Sequence, residues 1–131
     1  MKKIILVTML SVLVAGCVSN QNQKIVHVTK KRDLADKEKL VIQDSVKGQL
    51  KDPESAMFKL PQVNEDGKPN IYCGLVNAKN SYGGYTGYEP FVATLIRTDG
   101  EIKQSSAMLP EPTRYGIRAM ISMCKKYGYS F

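Results

Sequence analysis

Residues 70–98 read NIYCGLVNAKNSYGGYTGYEPFVATLIRT, and the fold turns on how this stretch bends. Ile71 to Asn77 and Phe91 to Arg97 are rich in β-branched and aromatic residues, the composition of strands. A two-residue turn at Gly83-Gly84 would set Tyr82 opposite Tyr85. It would pair Ile71 with Ile96, Cys73 with Thr94 and Leu75 with Val92 on one face. Tyr72 would meet Leu95, Gly74 Ala93 and Val76 Phe91 on the other. Both faces are then mostly apolar, so each needs a cover. Gly87 and Pro90 leave room for a bulge or a wider loop.

Outward from this hairpin, Thr98-Asp99-Gly100-Glu101 is a second hairpin signal, with a strand over about 101–108. Pro110 and Pro112 break that strand. Thr113 suits the N-cap of a helix over 114–127, whose apolar stripe is Ile117, Met120, Ile121 and Cys124. Lys125 and Lys126 suit its end and Gly128 its stop. On the other side, 56–63 reads as a strand broken by Pro61 and therefore an edge, followed by a turn over 64–69. Residues 33–50 read as a helix capped by Asp33, with Leu34, Val41, Ile42, Val46 and Leu50 on one stripe. Asp52-Pro53 stops it. The expected fold class is α+β: a small antiparallel β-sheet of about four strands, with an N-terminal helix and a C-terminal helix stapled by a disulfide.

The start of the chain is of another kind. Met1-Lys2-Lys3 is positive, and residues 4–15 are uncharged and almost wholly apolar. That run is shorter than the roughly 20 residues a membrane-spanning helix needs, and it fits a secretory signal. Leu13-Val14-Ala15-Gly16-Cys17 resembles the lipobox of bacterial lipoproteins. The resemblance implies cleavage after Gly16 and lipid on Cys17, anchoring the chain to a membrane. Several acyl chains are needed because one binds only marginally, at about 0.8 kcal/mol per buried CH₂. Val18 in place of an Asp implies sorting to the outer membrane, facing the periplasm, in a Gram-negative host. The expected organisation is signal 1–16, lipidated tether 17–32, with a brief strand-like run at Ile25 to Val28, and one domain 33–131.

With Cys17 assigned to lipid, Cys73 and Cys124 remain in an oxidising compartment, and an even count there reads as a disulfide. Closing a loop of roughly 50 residues contributes about 4 kcal/mol in the chain-entropy model. Loss of residues 1–16 leaves seventeen cations against twelve acids. Lys24, Lys30, Lys31 and Arg32 put +4 in the expected tether and leave +1 for 33–131. A nearly neutral exported domain argues against nucleic acid as a partner. The basic run reads as a solvated linker or as a contact for anionic head groups.

The chemistry-bearing candidates sit in 77–91. Asn77, Lys79, Asn80, Tyr82, Tyr85 and Tyr88 combine amphipathic rings with adaptable hydrogen-bonding groups, as paratopes do. The same residues have a purely structural use: Tyr82 with Tyr85 as a cross-strand pair, the glycines for positive φ, the amides for local backbone. With Leu50 to Phe58 upstream, Cys73-Gly74, VNAKNSYGGYTGY and Phe91 resemble a family of small bacterial exported proteins. That resemblance implies an exported domain and not a reaction.

No cofactor or metal site is expected, since the single histidine, His27, lies in the tether and no CxxC spacing occurs. Catalysis finds little support, because Glu65, Asp66 and Asp99 fall in turns where solvated acids are the rule. The leading expectation is a non-enzymatic envelope lipoprotein that binds a protein partner or serves assembly. The alternative is a glycan- or peptidoglycan-binding module using the Tyr/Gly loop. A small paired-carboxylate hydrolase comes last.

Overall fold

The computed structural model describes residues 30–66 and 69–131. The expected signal, Cys17, the strand-like run at 25–28 and His27 lie outside these residues. No helix among the described residues is long and apolar enough to cross a membrane.

The elements run β1 (Lys31–Arg32), α1 (Asp36–Lys47), a 3-10 turn (Pro53–Ser55), β2 (Met57–Lys59), β3 (Val63–Asn64), β4 (Ile71–Asn77), β5 (Glu89–Thr98), β6 (Glu101–Met108) and α2 (Arg114–Lys126). Four strands make one antiparallel sheet in the order β2-β4-β5-β6, and β1 pairs with β3 in a separate two-stranded ladder. The strand expected over 56–63 is an edge strand only over Met57–Lys59: Pro61 cannot donate to a ladder, and beyond it β3 leaves the sheet to pair with β1. The fold class is the expected α+β arrangement.

The β4–β5 register differs from the two-residue-turn expectation. Ile71 lies opposite Thr94, Cys73 opposite Val92 and Gly74 opposite Phe91. The slip of two residues follows from a wider loop: Lys79 bridges Tyr85, while the Asn80 N–H donates to the Gly84 carbonyl at 2.9 Å. Tyr82 therefore does not face Tyr85. An even slip preserves sheet faces, so Tyr72, Val76, Phe91, Ala93 and Leu95 still make one buried face. Phe91 lies across Gly74, where an added Cβ would sit 2.6 Å from the ring and 3.1 Å from the Lys59 carbonyl oxygen. The Gly and the distant Phe of the family-like pattern are thus one packing unit.

The two helices cover opposite faces. Cys73 is bonded to Cys124, with Cα atoms 5.9 Å apart, which fixes α2 on the Cys73–Val92 face. The Ser45 hydroxyl of α1 lies 3.0 Å from that of Ser105, the partner of Leu95, on the other face. Thr113 caps α2 by accepting the Gly116 N–H, and Met120 and Cys124 are its buried residues. Beyond Gly128, at φ 83°, Tyr129 is buried edge-to-face on Tyr72. Burial pushes the Tyr129 hydroxyl up to about 12.

Helix α1 is shorter than 33–50 at both ends. Its N-cap is Ala35, and Asp33 instead accepts a hydrogen bond from Gln62. The capping work is done by Glu38, whose carboxylate accepts the Ala35 N–H at 3.0 Å. The domain also begins before residue 33, against the tether boundary expected at 32. Lys30 pairs with Glu65, Lys31 donates to the Gly128 carbonyl, and Arg32 pairs with Glu38. The β1 backbone and Arg32 are thus part of the fold, while the Lys30 and Lys31 side chains stay exposed to solvent.

Candidate functional site

Loop 78–88 connects β4 to β5, and its shape is set by two asparagines. Asn80 Oδ1 accepts the N–H groups of Tyr82 at 2.9 Å and Gly84 at 3.1 Å. Asn77, buried at the end of β4, accepts the Gly87 N–H at 3.3 Å. Gly83 and Gly87 take φ of 79° and 107°, a region closed to most side chains. The amides thus serve local backbone, one of the two uses their sequence context suggests.

Ser55 clamps the loop from outside. Its Oγ accepts the Lys79 N–H at 2.8 Å, and its carbonyl accepts the Tyr85 hydroxyl at 3.0 Å. Ser55 belongs to the 3-10 turn after α1, so the upstream segment Leu50–Phe58 and the Tyr/Gly segment meet here. Sequence reading names both segments without joining them, because a contact over 30 residues leaves no local periodicity.

The three rings differ in what they have left to offer. Tyr88 is 39% exposed and carries Lys59 Nζ 4.2 Å over its ring. Tyr85 is 47% exposed, with its hydroxyl tied down and Lys79 Nζ 5.8 Å from the ring centre. Tyr82 is 97% exposed. The structure therefore brings Lys79, Tyr85 and Ser55 together and leaves Tyr82 projecting alone. A cavity of about 280 Å³ runs beside the loop, walled by Gln49, Leu50, Lys79, Asn80, Thr86 and Leu109 among others.

A larger cavity of about 640 Å³ lies elsewhere, between the start of α1 and the β5–β6 turn. Its central acid is Glu38, which is only 3% exposed. Arg32 donates to both Glu38 oxygens, at 2.6 and 2.7 Å, and the Ile102 N–H donates at 3.0 Å. The Arg32 hydrogen bonds hold the Glu38 carboxyl down at about 2 against the opposing cost of burial. Such a group is a fixed anion near neutral pH, unsuited to moving protons. Two other acids lining the cavity, Glu65 and Glu101, are paired with Lys30 and Lys103. Among the described residues, no group of three or more His, Cys, Asp or Glu could hold a metal ion.

Glu38 is the residue that sequence reading overlooks. The signal is present, since Leu34, Glu38, Ile42, Val46 and Leu50 repeat every four residues and the acid stands on the apolar stripe.

No family model, no curated protein and no solved structure matches the chain.

Proposed function

We propose that this chain is a lipid-anchored protein of the bacterial envelope, held through Cys17 and facing the periplasm from the outer membrane. Its domain is a non-enzymatic binding module that engages a partner protein through loop 77–91. The observation that carries the reading is the clamped loop. Asn80, Asn77 and Ser55 fix eleven residues that the sheet does not need, and Tyr82 is the ring left in solvent. Pre-organisation of this kind lowers the entropy lost on binding. Lys59 and Lys79 already flank Tyr88 and Tyr85, which leaves one unencumbered ring. A single free ring suits a protein hot spot better than a platform for successive sugars.

The small cavity walled by Gln49, Lys79 and Asn80 favours a second reading, a glycan or peptidoglycan strand laid beside Tyr82. Pelleting with peptidoglycan sacculi separates the two. The protein reading expects the chain to stay in the supernatant. Affinity recovery from solubilised envelopes should then yield a partner that is lost with Tyr82→Ala. Retention on sacculi that disappears with Tyr82→Ala would replace the first reading by the second. Mass analysis of the N-terminal peptide tests the anchor separately, through acyl chains on Cys17.

A further inference from the structure

Counted from Lys30, where the described residues begin, the chain carries +4, and that charge is unevenly placed. Residues 30–111 hold twelve cations and all twelve acids, while 112–131 hold Arg114, Arg118, Lys125 and Lys126 and no acid. The whole excess of the described domain therefore lies on α2. At 100° per residue, Arg114, Lys125, Arg118, Ser122, Tyr115 and Lys126 fall within one third of the helix circumference. Every one of them is exposed, and Tyr115 is 83% exposed. The opposite side, with Met120 and Cys124, is the side stapled to the sheet. None of the four cations takes part in an ion pair among the described residues. Elsewhere cations do find acids, as Lys30, Arg32, Lys39 and Lys103 show.

We infer that the outward face of α2 docks on an anionic lipid surface, its four cations against head-group phosphates and Tyr115 at head-group depth. The face fits a membrane by chemistry and shape. It is a ridge about 20 Å long, from 13 residues at 1.5 Å each. Both cavities described above are walled by other elements, away from this face. Tyrosine among cations is the composition of membrane interfaces, where the ring sits between apolar and wet layers. Exposed cations near an anionic leaflet each contribute roughly a fivefold preference. The disulfide holds the face rigid against the sheet, so docking would orient the domain as well as retain it. The lipid-anchored reading supplies the reason a membrane is near, and the inference rests on it only there.

The test uses the full chain carrying Cys17→Ser, so that no lipid is attached. Its partition is measured on vesicles of phosphatidylcholine alone and with about a third phosphatidylglycerol, at low salt where exposed charges are least screened. The readout is the ratio of anionic to neutral binding, in which any contribution of the apolar residues 4–15 cancels. Replacing Arg114, Arg118, Lys125 and Lys126 by Gln should lower that ratio at least about tenfold. Replacing Lys37, Lys39, Lys47 and Lys51 by Gln removes the same charge from the α1 region and should change it less than about threefold. An unchanged ratio in the first set, or equal losses in both, would overturn the inference. A chain with Tyr115→Trp reads the contact without removing charge: its emission should shift to the blue on anionic vesicles, and no shift would also overturn it. Neither readout involves loop 77–91 or acylation, so failure here leaves the partner-binding reading standing.

Discussion

Two hairpins share strand β5, and they are built to different standards. The β5–β6 turn uses two residues, Asp99 and Gly100, at φ of 53° and 79°. That is a primed turn, matched to the twist of its strands and sufficient to connect them. The β4–β5 connection uses eleven residues for the same topological task. It adds two asparagine clamps, two positive-φ glycines and a tie to Ser55. Long ordered loops on rigid scaffolds are where binding residues concentrate. Under the proposed function the long loop is the working end and the short turn plain architecture.

The comparison can be broken first at its foundation. Cys73 lies in the strand that leads into the long loop and is joined to Cys124 across 51 residues. Cys73→Ser with Cys124→Ser should cost about 4 kcal/mol, read as a lowered denaturation midpoint. Both hairpins should melt together, since the staple serves the sheet they share.

Glu38 acts at the short turn, through the Ile102 N–H in β6. Glu38→Gln leaves Arg32 without its counter-charge and should cost about 3 kcal/mol, measured by chemical denaturation. The sign with pH follows from a folded-state value lowered to about 2. The stabilisation is complete above the unfolded value, about 4.3, and is lost as pH falls from there through about 2. The Gln variant should show a flatter stability profile over that range.

Smaller effects sharpen the contrast. Asn80→Ala removes the acceptor for two N–H groups and should cost roughly 1–2 kcal/mol. Hydrogen exchange should quicken at Tyr82 and Gly84 and stay unchanged at Gly100. Tyr82→Ala should move the unfolding midpoint hardly at all, by about 0.5 kcal/mol or less for so exposed a ring. It should nonetheless abolish partner recovery.

How much of this was legible in sequence depended on whether a local signal existed. The helices were legible because their apolar stripes recur at helical spacing, and α2 because Thr113 and Gly128 mark its ends. Asp99-Gly100 announces its turn by composition. Gly83-Gly84 carries a similar signal and misleads, since Asn80 reaches across the loop and folds the chain before the glycine pair can form a tight turn. The error was confined to register because the slip was even. The pairing of Cys73 with Cys124 was legible as soon as Cys17 was set aside for lipid. The link from Ser55 to Tyr85, and the pair Arg32–Glu38, depend on tertiary approach. For the second, an acid on the stripe of α1 was the one available clue. The basic face of α2 was hidden because a boundary at residue 32 assigned Lys30, Lys31 and Arg32 to the tether and left the domain a summed charge of only +1.

The central claim is that the long loop, and not the short turn, meets a partner protein. A photoreactive phenylalanine analogue, which keeps an aromatic ring, placed at Tyr82 or at Asp99 in the full chain and irradiated in intact envelopes, tests it most directly. The account predicts one discrete protein adduct from position 82, abolished by Asn80→Ala, and none from position 99. No adduct from position 82, or the same adduct from both positions, would contradict it.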